Sequence, residues 1–369
     1  MNVPSTIAEL HSPAGTLVSV YLGRPAGSSS ALLSDLLKPI RAAADERERS
    51  VTKAIKASCD RIHDLAPRID AEPSPAVAVF ASEPDGIFEY LPLQADVWDV
   101  AMVGPRPYLR PLRAIPRLLH VGVVVADRER AFVFESDDGQ MESLGEPIEA
   151  DRGKDNYGGF SGYEEHRVRG RAEEETARML QEAAGLLFDR HRAKPFDMLA
   201  LGGHADTLDE LVPHLHAYLR ELPMHRFVVD LRTMTPPILR RHVEDGVAAW
   251  RQEQEERAVE RVLARLGSGD GAVAGTSAVL KAANARAVET LVVSGRFERS
   301  GVSCDACGWL GRTGDTCPVC GSGLFDVDDV IGSAIEAVLD AGGEVWQVSV
   351  ASPLDSHGVA AALRFPITR

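Results

Sequence analysis

The run FDMLALGGHADTLDELVPHLHAYLRELPMHRFVVDL, residues 196–231, decides the fold class. Apolar residues fill 196–204 almost without interruption, as in a strand buried on both faces. Over 207–222 they recur at helical spacing, and 226–231 is again apolar over a strand's length. Strand, helix and strand in succession predict helices layered on a sheet, an α/β arrangement. His204 follows the glycines of LGGH, where a strand ending in a glycine turn explains it without chemistry. Upstream, LLHVGVVVADRERAFVFES (118–136) places two apolar strands about the polar residues Asp127–Arg130, which predicts a hairpin. A long charged helix is expected from about Tyr163 to Arg192, and another from Pro236 to Leu266, so residues 118–266 form the middle domain.

Two further domains flank it. In residues 1–117, TLVSVYLG (16–23) predicts a strand and Ala31–Leu65 one long helical region. AVAVFAS (76–82) and GIFEYLPL (86–93) then read as strands joined by the turn Glu83–Asp85. PRPYLRPLRAIPR (105–117) closes the domain with four arginines, four prolines and no acid. It reads as a proline-stiffened linker, or as a contact with RNA or with another domain. After the flexible GSGDGAVAG (267–275), residues 267–369 alternate again: helix 276–285, strand 288–295, a cysteine-rich insert, helix 327–341, and strands 343–350 and 358–367. The expectation is therefore an α/β multidomain protein of three domains, in keeping with its 369 residues.

The composition narrows the function classes. A 44% hydrophobic, 26% charged chain is that of a globular protein, and no stretch reaches the roughly 20 apolar residues of a membrane helix. The start shows no basic region ahead of an apolar run, so a cytoplasmic protein without a signal peptide is expected, with no membrane partner. The formal charge of −15 argues against a general nucleic-acid coat and against DNA, but leaves room for local RNA contact by small basic patches.

CDACGWLGRTGDTCPVCG spaces Cys304 from Cys307 and Cys317 from Cys320 by two residues each. Each CxxC can wrap a tight turn that aims two thiolates at one ion. Gly308 and Gly321 permit the bend, and two such knuckles fill the tetrahedral shell of Zn²⁺, leaving no place for water. A structural zinc ribbon is expected; a disulfide pair or a redox sensor is the alternative. Cys59 stands alone in a charged helical segment and reads as a free thiol.

The stretch DNYGGFSGYEEHRVRGRAEEE (155–175) puts adjacent glycines just ahead of the charged helix. Gly158 and Gly159 can press bare backbone against a partner, and Tyr157, Phe160 and Tyr163 can stack on unpaired bases. The flanks carry Arg152, Lys154, His166, Arg167, Arg169 and Arg171, nearly balanced by Asp151, Asp155, Glu164 and Glu165. An ordinary surface loop with glycines is the plainer reading of these residues alone.

The order of the three domains resembles the superfamily of eukaryotic and archaeal class-1 translation termination factors and Pelota, in its bacterial branch, and most the actinobacterial Balon ribosome-hibernation factors. Where termination factors carry a Gly-Gly-Gln-Ser tip before a basic helix, this chain has GGFS (158–161) and HRVRGRAEEE (166–175). ANARAVETLVVSG (283–295) is similar to the helix–strand step of the L7Ae-like last domain, in which archaeal members carry a zinc ribbon where Cys304–Cys320 lie. The likeness covers roughly 118–369 well and the first domain poorly.

That resemblance implies a protein in the ribosomal A site, meeting 16S and 23S rRNA of the 70S ribosome. Its first domain would face the decoding centre and its middle domain the peptidyl-transferase centre. Its last domain would meet a translational GTPase, elongation factor Tu in the hibernation factors. Tyr157, Gly158, Gly159, Phe160, Ser161 and the six basic flanking residues become the implied rRNA contacts. Phe160 stands where the termination factors have glutamine, and a phenyl ring cannot order an attacking water. No stop-codon-reading NIKS-like stretch occurs in 1–117. Hibernation without catalysis is the resulting expectation, with no catalytic residues. The alternatives are a rescue factor that hydrolyses peptidyl-tRNA, or a zinc-ribbon α/β protein with no ribosomal role.

Overall fold

In Leu17–Gly23 (β1) alternate side chains enter two different cores, which is why a seven-residue strand is buried along nearly its whole length. The computed structural model describes residues 3–23, 28–137, 139–151, 163–269, 271–349 and 351–367, with the backbone alone for 163–169. The chain divides into two compact units, Met1–Arg117 with Glu255–Arg369, and Leu118–Gln254.

In the first unit, β1 pairs antiparallel with Ala76–Ser82 (β2) and with Val100–Gly104 (β4). Ile87–Leu93 (β3) extends the sheet beyond β2, giving the order β3-β2-β1-β4. Val18, Val20, Val77 and Val79 face the helices Ser29–Ala44 (α2), Arg49–His63 (α3) and Ala66–Ala71 (α4), meeting Leu33, Leu37, Ile55 and Ile62. The opposite face, with Leu17, Tyr21, Ala78 and Phe80, is covered by Ile7 of the one-turn helix Ser5–Ala8 (α1) and by Leu109, Leu112 and Ile115 around the short helix Arg110–Ala114 (α5). Each such buried aliphatic side chain stabilises the fold by about 1.5–3 kcal/mol. The single helix expected over 31–65 is two. Residues 45–48 are an acidic and basic run with no apolar side chain to bury, and Thr52 donates back to the carbonyl of Ala44 at 2.7 Å, closing the corner.

The second unit carries the sheet foretold by residues 196–231. Val121–Ala126 (β5) and Arg130–Asp137 (β6) form the expected hairpin, closed by the Asp127 carboxylate accepting the N–H groups of Glu129 and Arg130. Met198–Gly203 (β9) runs parallel to β5, and Met224–Phe227 (β10) parallel to β9. Gln140–Ser143 (β7) and Ile148–Glu149 (β8) lie against β6. Tyr163–Ala193 (α6) covers one face through Met179, Leu180, Ala183 and Leu187, together with Leu208, Leu211, Leu215 and Leu219. Leu239 and Val243, from the first turns of Pro236–Ser268 (α9), cover the other. Two expectations shift here. Pro213 divides the helix expected over 207–222 into Ala205–Leu211 (α7), a 3₁₀ turn and Ala217–Arg220 (α8). The expected strand 226–231 pairs only as far as Phe227, and Val228 is 72% exposed.

The remaining residues of the first unit form a sheet in the order β11-β17-β12-β16, from Ala272–Ala274 (β11), Val288–Ser294 (β12), Glu344–Val348 (β16) and Val359–Leu363 (β17). Thr276–Asn284 (α10) and Val330–Asp340 (α11) pack on one face; Ala258, Val259 and Val262 of α9 pack on the other. A ribbon of Gly301–Ser303 (β13), Leu310–Gly311 (β14) and Phe325–Val327 (β15) rises from this domain and carries the cysteines. The result is the mixed α/β, several-sheet protein that the sequence predicts. None of its described helices is long and apolar enough to cross a membrane.

Candidate metal centre and nucleic-acid interface

Cys304 and Cys307 leave β13 on one tight turn; Cys317 and Cys320 form its counterpart before β15. In each, the glycine after the second cysteine donates its N–H to the carbonyl of the first: Gly308 to Cys304 at 2.8 Å, and Gly321 to Cys317 at 3.0 Å. Both glycines sit at positive φ, 75° and 78°, where a Cβ would strain the backbone. Four sulfurs from turns 13 residues apart thus converge: Cys304 and Cys320 are 3.4 Å apart, Cys307 and Cys317 3.6 Å, and all four lie within 4.8 Å of one another. Sulfurs at about 2.3 Å from a tetrahedral ion stand about 3.8 Å apart, so the arrangement fits one metal ion. Cys304 and Cys317 are buried and Cys307 and Cys320 exposed, a site at the surface with one side sealed. The two exposed thiols shift in opposite directions. Ser322, through its hydroxyl and then its N–H, draws Cys320 down to about 6. Against the pull of the Trp309 backbone, burial and the neighbouring thiols push Cys307 up to about 12. The fit to a metal therefore rests on the convergence of the sulfurs. Cys59, in contrast, is fully buried in α3, and burial pushes its thiol up to about 11.

Of the predicted RNA contacts, Arg152, Lys154, Tyr157, Gly158, Gly159, Phe160 and Ser161 lie outside the described residues. His166, Arg167 and Arg169 fall in the first turns of α6, and Arg171 is exposed one turn further on.

Three of the run's four arginines make contacts inside the first unit. Arg110, with no exposed side-chain surface, donates to Asp329 at 2.8 Å, to Gln347 at 3.2 Å and to the carbonyl of Gly295 at 3.4 Å. Asp329 also accepts the Tyr108 hydroxyl at 2.9 Å and caps α11 by accepting the N–H of Ile331. Burial, then the Asp329 charge, hold the Tyr108 hydroxyl far above its usual range. Arg113 forks onto both oxygens of Glu336, and Arg106 reaches Asp305 at 3.1 Å. These three arginines meet residues 295–347 within the same compact unit; nothing in the run itself marked Asp329, 219 residues away, as the partner.

A second buried polar group went unforeseen. Glu135 on β6 accepts two bonds from Arg190 near the end of α6, at 2.7 and 2.9 Å, and faces the Nε2 of His120 at 2.8 Å. His120 Nδ1 faces the carbonyl of Pro195, and Lys194 pairs with Asp137 beside them. These contacts fasten the C-terminal end of α6 to the sheet. Arg190's hydrogen bonds, aided by His120, hold the Glu135 carboxyl below the ordinary 4.5. A depressed carboxyl stabilises the fold above its unfolded pKa and loses that contribution as pH falls through the folded one. Glu135→Gln is therefore expected to lower the melting temperature of the second unit by several degrees at neutral pH. The gap from the natural protein should close below about pH 4.5, as melts across a pH series would show.

Solved structures similar to this chain include an archaeal translation termination factor, aRF1, at 17% identity over 98% of this chain and 96% of that one, with a TM-score of 0.26. Pelota of Archaeoglobus fulgidus is 17% identical over 80% of each chain, TM-score 0.38. The archaeal Pelota of a ribosome-bound assembly with ABCE1 is 18% identical over 79% of this chain and 78% of that one, TM-score 0.43. Among curated proteins, nothing matches. Residues 107–247, which hold the second unit's sheet and all of α6, match the model of Bacterial archaeo-eukaryotic release factor family 10, and in that span the chain is similar to that family.

Proposed function

We propose that this protein is a ribosome-binding translation factor of the release-factor and Pelota kind, one that occupies the A site of idle 70S ribosomes without releasing peptide. Two things support the reading: the similarity of residues 107–247 to a bacterial release-factor family, and the residue at the tip that this span contains. Phe160 carries it. A glutamine amide at that place both donates and accepts hydrogen bonds, whereas phenylalanine offers a flat apolar face for packing among rRNA bases. The tip then acts as a plug. The basic residues Arg152, Lys154, His166, Arg167, Arg169 and Arg171 supply phosphate contacts, and Tyr157, Gly158, Gly159 and Ser161 shape the tip. The four cysteines hold zinc, whose filled shell braces the ribbon and takes no part in chemistry. A translational GTPase, elongation factor Tu, is the proposed partner of the last domain, and stress-induced hibernation the proposed setting.

The protein should sediment with vacant 70S ribosomes at micromolar concentration and physiological salt and, added to a stalled complex, should leave the labelled nascent peptide on its tRNA. Protein that stays in the supernatant refutes ribosome binding. Arg167→Glu with Arg169→Glu should weaken the association at least tenfold and flatten its dependence on salt, since each lost phosphate contact removes about 0.7–0.9 from the logarithmic salt slope. An unchanged slope moves the contact elsewhere.

A second reading rests on the backbone. The N–H at residue 160 is a donor for any residue but proline, and one positioned donor at an oxyanion is worth about 10²–10³ in rate. Peptide release from a stalled complex, lost when Gly159 is replaced by a bulky residue, would favour rescue by hydrolysis over hibernation.

A further inference from the structure

Asp305 lies between the first two metal-binding cysteines, yet its carboxylate is turned to the N-terminal domain. One oxygen takes the Nε2 of His11 at 2.6 Å, the other the Nε of Arg106 at 3.1 Å. His11 and Arg106 belong to one lip of that domain: the N–H of Ser12 donates to the carbonyl of Pro105 at 2.8 Å, and Gly15 turns back onto Ser12. The ribbon touches the same lip a second time, through the Phe325 ring, which comes within 3.3 Å of where a Cβ on Gly15 would stand. Its other side is fixed to the C-terminal domain, because Leu310 packs in a core with Leu280, Val330 and Ala334. The ribbon thus stands between the two domains of the first unit, anchored to one by apolar packing and to the other by a carboxylate in the metal turn.

We propose that the metal centre is also a clasp: with the ion in place, the Cys304–Cys307 turn presents Asp305 to His11 and Arg106 and holds the N-terminal lip closed. The strands β13, β14 and β15 are two or three residues each, too short to fix that turn unaided. Four sulfur–metal bonds fix it instead. Without the ion, the Cys304–Cys307 turn keeps its backbone hydrogen bonds and the Leu310 anchor beyond it but loses the sulfur–metal bonds, and the carboxylate loses its aim. Because Arg110 and Asp329 hold the two domains together independently, release of the clasp frees the lip and not the whole domain. The inference rests on the cysteines binding a metal and is independent of any ribosomal role.

Hydrogen exchange of the full-length protein, read by mass spectrometry beside metal content, tests it. Peptides covering 9–16 and 102–109 report the lip, and one covering 288–294 reports the C-terminal core. In zinc-loaded protein, Asp305→Ala should keep one metal per chain and exchange about five- to tenfold faster in both lip peptides, the range of one partly exposed ion pair and one hydrogen bond to a carboxylate. Chelation of the natural protein should produce the same local change, with 288–294 still protected. Unchanged lip exchange in either case overturns the proposal. So does loss of metal from Asp305→Ala, which would make Asp305 part of the site itself. Equal exposure of 288–294 on chelation would mean that the metal supports the whole domain, and failure of the natural protein to take up zinc would remove the clasp's premise. Both results also overturn it.

Discussion

Arg110→Met is expected to destabilise the unit formed by residues 1–117 and 255–369 by about 3–5 kcal/mol, the cost of removing one partner from a fully buried ion pair. The side chains of Arg110 and Asp329 have no exposed surface, so the carboxylate left behind cannot be reached by water. Its remaining donors are the Tyr108 hydroxyl and the N–H of Ile331. Two neutral donors do not replace a guanidinium in a medium of low dielectric. Two further acceptors also lose their donor, the side-chain oxygen of Gln347 and the carbonyl of Gly295. Arg110→Lys should recover part of the loss, because an ammonium restores the charge but cannot span carboxylate, amide and carbonyl at once. The double change Arg110→Met with Asp329→Asn should recover more than half of it. That pair removes both charges and leaves an oxygen at position 329 to cap α11. Urea unfolding followed by tryptophan fluorescence is a suitable measurement, since Trp98 and Trp346 lie within this unit. A single substitution costing less than about 1 kcal/mol would refute this and leave other contacts, Arg113 with Glu336 among them, to hold these residues together.

The same residues mark where sequence reading stops. Period and turn chemistry are local, and they predicted the strands at 17–23, 76–82 and 121–126, the hairpin turn at Asp127 and the helix that becomes α6. Local readings erred where two forces compete within a few residues. The run 45–48 breaks the long helix because it has nothing to bury, and Pro213 breaks the next because it has no N–H to give. The short ribbon strands escaped notice because two or three residues carry no period. The cysteines were legible because both the ligands and the turn-making glycines repeat at fixed spacing. Arg110 with Asp329, and Glu135 with Arg190 and His120, were not. Each pair joins residues 15 to 219 positions apart, and a lone charge in a sequence does not announce whether it will be buried or solvated.

Cys304→Ser with Cys317→Ser is expected to reduce zinc from about one ion per chain to a trace, since two ligands of four remain and both are the exposed ones. The choice of pair matters. Cys304 and Cys317 are the buried sulfurs and open the two turns, so each turn loses the ligand around which it is wound. A hydroxyl at either place is buried without the thiolate's charge or its affinity for a soft ion. The C-terminal core should survive the change, because Leu310 still packs with Leu280, Val330 and Ala334 in a cluster that contains no cysteine. Proteolysis is then expected to cut within 304–320 far faster than in the natural protein, while the second unit, Leu118–Gln254, melts as before. The companion substitution Cys59→Ser tests specificity: that thiol is buried in another core, so it should cost stability and leave the metal content unchanged. Full metal content in the Cys304 and Cys317 variant, by elemental analysis after dialysis against chelator, would show that these sulfurs do not form the site that their spacing and convergence describe.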